Sequence, residues 1–422
     1  MKKNTIGVLL VLTLSLGIAI SSPYSTNPAL GDWAAAQNPS PMTSNSPSDE
    51  IIRNQEIVSG VADHIYGLAD ENFVDIHTDA ANLRITAYWK GEPASDVATY
   101  MRSDPEGVHI MVDTSATVSR IAEHERVARI VALSNAEKWA VQSVVPFMEQ
   151  DMIQVAVGPE SQLRDSDLSR ISEVSGLSKV EIIHNDIQDF GLVGRLNDAA
   201  PFKGGARTIQ NGHVCSTGFA VLSGASGRLL SARHCDPTSN YAIKNGDSTV
   251  TITNGGSGVS GMAALDSEII DPIDSPATTP KIYNGSWSSG ANATVKSWHS
   301  NWVGDTVCLS GATSGNRCGL VIDDSFPYVY NGYSIDTILV EGPAGGIMAS
   351  SGDSGGPAYG PIGSGVDARG IIDAISPSYG YHHNCSSFSI NPDVSSPICS
   401  RYVLYIPIST VLNAWGVSLE VG

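Results

Sequence analysis

The alternation of apolar and polar positions divides the chain into three kinds of sequence. Residues 6–20 are mostly apolar, and Ser21, Ser22 and Pro23 end the run. Residues 37–48 are rich in Pro, Ser and Asn, with too little apolar mass to pack, which predicts a disordered linker. From about residue 50 the patterns become periodic. Leu83, Ile85, Ala87 and Trp89 alternate as in a half-buried strand, and Lys90-Gly91 breaks it. Residues 108–112, 152–157 and 180–183 predict further strands. Ile121, Val127, Ile130, Val131 and Leu133 recur at helical spacing within 121–140, and a short helix is expected at 168–174. This mixture predicts an α/β unit over residues 50–193. Beyond residue 206 the pattern changes to short apolar runs between turns such as Gly255-Gly256 and Ser289-Gly290, which predicts an all-β barrel or sandwich over 207–422. The intervening stretch 194–206, with Ala200-Pro201-Phe202, is expected to be an exposed boundary open to processing, with cleavage after Phe202 as one option.

Charge and termini narrow the setting. The 422 residues carry a formal net charge of −19, which argues against nucleic acid, whose phosphates need Lys and Arg. Met1-Lys2-Lys3 before the first apolar run, and Ala19-Ile20-Ser21 at its end, predict a secretory signal peptide over 1–22 followed by the linker at 23–49. The run is too short for a comfortable membrane span, so no membrane association is expected after its removal. The six cysteines, Cys215, Cys235, Cys308, Cys318, Cys385 and Cys399, all lie in the second half of the chain. An even count confined to one region reads as a disulfide framework in an exported domain. Neighbour pairing is the simplest arrangement.

No metal or cofactor is expected. His124-Glu125 lacks the second histidine of a zinc-protease helix, because Ala128 stands there. His382-His383-Asn384-Cys385 reads as a surface loop, and the acidic stretch 266–274 lacks the Gly and Glu of an EF-hand loop.

The chemistry centres on Gly352-Asp353-Ser354-Gly355-Gly356-Pro357. A serine between glycines can present its hydroxyl at a sharp turn. It needs a base, a group to orient the base, and N–H donors for the developing oxyanion. Leu229-Leu230-Ser231-Ala232-Arg233-His234-Cys235 supplies a histidine at the end of an apolar strand. Ala263-Ala264-Leu265-Asp266-Ser267-Glu268-Ile269-Ile270 supplies a carboxylate among apolar residues, preferred over the nearby Asp271 and Asp274. The backbone N–H groups of Gly352 and Ser354 are the candidate oxyanion donors.

These segments, in the order His, Asp, Ser, resemble the secreted trypsin/chymotrypsin-like serine peptidases, and more narrowly their bacterial, streptogrisin-like branch with a long pro-region. The resemblance is carried by strong motifs over about 204–422 and by weaker ones over 50–190, among them Tyr88-Trp89-Lys90-Gly91. It implies two six-stranded antiparallel β-barrels, with His234 and Asp266 from the first and the nucleophile Ser354 from the second. It also implies the bridges Cys215–Cys235 and Cys308–Cys318, leaving Cys385–Cys399 to tie a local loop. The N-terminal unit would then be a pro-domain, acting as folding assistant and temporary inhibitor, and the partners would be protein or peptide substrates. Met348 stands where trypsin-like members carry an aspartate, so an apolar or aromatic preference is expected of a pocket that includes Met348, Ala349 and Asp373. Asp373 takes a place where the family usually has serine. Arg233 replaces a small residue before the histidine. Leu309 replaces an arginine that pairs with the aspartate before the serine, so Arg233 or Arg317 is the expected partner of Asp353. Two other readings remain open, a catalytically silent homologue that binds without turnover and an esterase using the same acyl-enzyme chemistry.

Overall fold

The computed structural model describes residues 49–422, except 104, 138, 140, 148–151, 158–162, 185–194, 196, 211, 241, 254–257, 274–277, 364, 377–378, 380–384, 386 and 392–396. The signal peptide, almost all of the linker, Asp274 and the His382-His383 pair therefore lie outside the described residues.

The N-terminal unit opens with a helix, α1 (Asp49–Gly67), whose apolar face, Val58, Val61, Ala62 and Ile65, is buried. Its spacing of three, one and three residues is that of a single helix face. Strands β1 (Phe73–Asp79) and β2 (Arg84–Trp89), helix α2 (Ser95–Met101) and strand β3 (His109–Asp113) follow. The three strands form one sheet, with β1 antiparallel and β3 parallel to β2. Ile76, Ile85, Ala87 and Trp89 pack with the α1 face in one core. A second layer consists of α3 (Arg120–Glu137), β4 (Val141–Phe147), β5 (Met152–Val157), α4 (Asp165–Ser175) and β6 (Lys179–His184). Its core joins Val127 and Ile130 of α3 to Val144, Ile153, Val155 and Ile171. The expected α/β character of 50–193 thus holds for the described part.

From residue 202 the regular elements among the described residues are almost all strands. The first group is β7 (Phe202–Gly204), β8 (Arg207–Gln210), β9 (His213–Ser216), β10 (Ala220–Ser223), β11 (Ser226–Ala232), β12 (Ile243–Asn245), β13 (Thr251–Thr253), β14 (Val259–Met262) and β15 (Ser267–Ile270). The second is β16 (Thr278–Tyr283), β17 (Asn292–Trp298), β18 (Thr306–Gly311), β19 (Gly315–Tyr330), β20 (Tyr333–Glu341), β21 (Ala349–Ser350), β22 (Pro357–Ile362), β23 (Gly365–Ile375), β24 (Cys399–Ser400) and β25 (Tyr402–Pro407). Helix α5 (Ile408–Trp415) and strand β26 (Ser418–Leu419) close the chain.

In the second group the antiparallel pairings run β18–β19–β20–β25–β23–β22 and return to β18. The last strand explains its own position: Val403, Leu404, Tyr405 and Ile406 are all fully buried, as a strand covered on both faces requires. Apart from β7, which joins the large sheet, the strands of the first group lie in two sheets, ordered β14-β15-β11-β10-β26 and β13-β12-β8-β9. Most are only three or four residues long, and a register shift in β12 interrupts the ladder. Two junctions are also parallel rather than antiparallel, β16 with β7 and β17 with β23.

Phe202 is not exposed. It is fully buried against Ala220, Leu229 and Ile270, because the boundary segment enters the sheet as β7 instead of looping over the surface. Cleavage after Phe202 is therefore disfavoured in this state. The three disulfides pair neighbours as expected: Cys215–Cys235, Cys308–Cys318 and Cys385–Cys399.

The two parts are joined by strand pairing. Tyr328 of β19 pairs with Ser143 of β4, so β4, β5 and β6 extend the large C-terminal sheet. Helix α1 adds polar contacts to the start of β18 and the loop before it. Gln55 bonds both the N–H and the C=O of Thr306, at 2.7 and 3.0 Å, and Trp302 Nε1 donates to Asp63 at 2.7 Å.

Candidate active site

Strand β11 ends at Ala232, and the chain tightens into a single turn, residues 233–235, that carries His234. The neighbouring turn 263–265 ends at Asp266, which takes the left-handed conformation (φ 40°, ψ 38°). Asp tolerates that region better than most residues because its short side chain bonds locally. Here both oxygens are used. Oδ1 accepts from the backbone N–H of His234 at 2.8 Å, and Oδ2 lies 2.6 Å from His234 Nδ1. The backbone N–H of Arg233 donates to the Asp266 carbonyl at 3.0 Å. Asp266 is 1% exposed while the His234 side chain keeps 11%, so one edge of the imidazole still meets solvent.

The serine turn is clasped against β9. Ser216 N–H donates to the Ser354 carbonyl at 2.8 Å, and Ser216 Oγ donates to the Gly352 carbonyl at 2.9 Å. Gly352 and Gly355 both have left-handed φ, 93° and 82°. A Cβ on Gly355 would stand 2.4 Å from Ser231 Oγ and 2.7 Å from the backbone nitrogen of Ala232. The residue after Ser354 is therefore in contact with the strand that delivers His234. Ser354 itself is half-buried. Among the described residues, the N–H groups of Gly352 and Ser354 bond no protein acceptor.

Asp353 is fully buried, and its support differs from the arginine expected. It accepts from the N–H groups of Thr313, Ser314 and Ser350 at 2.7, 3.0 and 2.8 Å, and Ser314 Oγ donates to it at 2.5 Å. Burial pushes its carboxyl above the ordinary value, and those hydrogen bonds pull against the shift. Backbone donors replace the guanidinium because Gly311 leaves room: a Cβ there would fall 2.1 Å from the carboxylate. No sequence pattern announces that arrangement.

Asp373, on β23, also reaches the histidine. Its Oδ1 lies 3.9 Å from His234 Nδ1, and its side chain is fully buried. Glu268 lies behind the pair on β15, fully buried. Its carboxyl is pushed up to about 8 by burial, with Asp236 and Asp266 adding repulsion, while Gln210 and His234 oppose the rise. Glu268 is thus mostly protonated at neutral pH. The apolar setting of strand 267–270 concealed it in the sequence. Met348 and Ala349 do not join this group. Met348 is fully buried with Val307, Leu309, Val340 and Tyr405, and Ala349 pairs with Ser400 in a short ladder. The Tyr330 ring, at the end of β19, stands edge-on to His234 with centroids 6.4 Å apart.

No family model matches the chain. Over 222 residues, 52% of the chain, it is 26% identical to Streptogrisin-C of Streptomyces griseus. The chain spans only 41% of that curated relative's length. Among solved structures it is similar to a glutamic acid specific serine protease (21% identity, 52% of this chain and all of that one, TM-score 0.38). It is also similar to Protease A of Thermobifida fusca (25% identity, 52% and 98%, TM-score 0.38). The sequence likeness to Streptogrisin-C thus covers about half of the chain, and the described residues form a strand-dominated unit preceded by a smaller α/β one.

Proposed function

We propose that this chain is a secreted serine endopeptidase made as a zymogen, working through His234, Asp266 and Ser354. The observation that carries the reading is the 2.6 Å contact of Asp266 with His234 Nδ1, while the turn bearing Ser354 is bonded to Ser216 of β9, next to the Cys215–Cys235 bridge beside the histidine. With Nδ1 engaged, the other ring nitrogen is left to act as base. Ser354 Oγ attacks the peptide carbonyl carbon and its proton passes to His234. The resulting oxyanion is met by the N–H groups of Gly352 and Ser354. Losing one such donor costs about 3–4 kcal/mol of barrier. The proton then goes to the leaving amine, and water, activated by the same imidazole, releases the acyl group. Asp266 fixes the tautomer and stabilises the imidazolium.

Residues 50–193 are read as the pro-domain, a partner that assists folding and then blocks the enzyme. Its strand β4 lies on the hairpin that carries Tyr330 to the histidine. The disulfides suit an oxidising, extracellular setting. No described helix is long and apolar enough to cross a membrane. A preference for apolar or aromatic residues before the cut completes the reading.

The test is covalent labelling by a peptidyl organophosphonate of mature protein and of its Ser354→Ala variant, followed by a panel of peptide and ester substrates. Labelling lost in the variant, with peptide turnover, is expected. No labelling of the parent protein would leave a binding module, and turnover of esters alone would leave an esterase.

A further inference from the structure

Strand β23 is bonded directly to the serine turn. Gly355 N–H donates to the Ile372 carbonyl, and Ile372 N–H to the Gly356 carbonyl, both at 2.7 Å. The next residue is Asp373. On the other side of β23, Ile372 pairs with Tyr405 and Ala374 with Leu404, which are consecutive. Asp373 is therefore the extra residue of a β-bulge, a device that re-aims one side chain and is common beside active sites. Here it aims a carboxylate into a buried space. The ligand-type atoms of His234, Asp266 and Asp373 all lie within 4.8 Å of one another. Two carboxylates thus face one imidazole.

We infer that Asp373 is a second carboxylate acting on His234, a positioning residue that with Asp266 flanks the imidazolium and sets the pH at which the base becomes available. The inference rests on the reading of His234 as general base. An opposite charge within about 4–6 Å favours the charged form of a titrating group, and desolvation strengthens the effect. A serine hydroxyl at this position would exert no such field.

The other groups around His234 do not supply it. Among the described residues Asp266 and Asp373 are the two carboxylates within 4.0 Å of a His234 ring nitrogen, and Asp236 is bonded to Thr238 Oγ1 and the Ser239 N–H. Glu268 is largely uncharged below about pH 8. Arg233 lies over Gly261, and Tyr330 presents a ring edge. Asp266 holds Nδ1 directly, so the extra negative charge comes from β23.

Two measurements test this. The acid limb of kcat/KM against pH is recorded for mature wild type, Asp373→Asn and Asp373→Ser. Both variants should remain active, with the limb moved to lower pH by about one unit. A limb that stays in place, whatever the fall in absolute rate, overturns the inference, since a merely structural role lowers rates without moving it. The His234 imidazole is then titrated by NMR in a Ser354→Ala background, with and without Asp373→Asn. A midpoint lowered by Asp373→Asn supports the inference even if the wild type turns over no substrate, in which case only the protease reading falls. An active wild type with an unmoved midpoint removes the role of Asp373 and leaves the protease reading intact.

Discussion

Asp266 shows how little sequence is needed to set a carboxylate against an imidazole when backbone and side chain agree. Its left-handed turn lets one oxygen hold the His234 N–H while the other holds the ring. Asp266→Asn keeps the size but presents an amide to Nδ1, favouring the wrong tautomer. Turnover should fall about 10⁴-fold with the fold intact, as read from kcat and a thermal melt. Gly355→Ala tests the neighbouring constraint. The added methyl meets Ser231, Ser216 and Ala232 at 2.4–2.7 Å in a conformation already costly for non-glycine residues. It should destabilise the C-terminal part by roughly 2 kcal/mol or more, measured by denaturant unfolding. These positions were legible because their motifs are local: a glycine-flanked serine, a histidine after an apolar strand, a carboxylate among apolar residues. The support of Asp353 and the aim of Asp373 were not, since both depend on which distant backbone comes alongside.

At the scale of elements, helix α3 meets the β19–β20 hairpin through a buried acidic cluster around one arginine. Arg120 holds Asp324 at 2.9 Å and approaches Asp75 at 3.8 Å, and Asp75 also binds His77. Glu123 and Arg126 of α3, Tyr66 of α1, Asp323 of β19 and Asp336 of β20 complete the surroundings. Burial pushes Asp324 up to about 6, Asp336 to about 7 and Glu123 to about 8, and Asp323 well above the ordinary carboxylate range. The docked state therefore binds more protons than the separated one. Its stability is fullest at acid pH and declines as pH rises from the ordinary carboxylate range toward about 8. The N-terminal unit should accordingly hold more weakly at pH 8 than at pH 5, as seen in its melting transition. Asp324→Asn with Asp336→Asn should flatten that dependence. The strands at 84–89, 109–113 and 152–157 were readable from their alternation. Val58, Val61, Ala62 and Ile65 carry the helical spacing of α1, but the polar linker just before it dominates the local composition. The pairing of β4 with β19 links residues far apart in the chain, a distance that no periodic pattern encodes.

The whole molecule is covalently asymmetric, with every disulfide in the C-terminal part. Replacing Cys215 and Cys235 together by serine reopens a link across 20 positions and should cost that part about 3 kcal/mol in denaturant unfolding, leaving the N-terminal melt unchanged. The junction at Tyr328 has another consequence. Removal of the N-terminal unit, as the zymogen reading proposes, would leave the outer rim of β19 without its neighbour and open to pairing with any passing chain. Pro327, beside the junction, has no N–H to offer, and Asp323 and Asp324 regain full charge once wetted. On the proposed zymogen reading, Asp323 and Asp324, whose burial makes the docking pH-sensitive, would then also guard the freed strand against edge-to-edge aggregation.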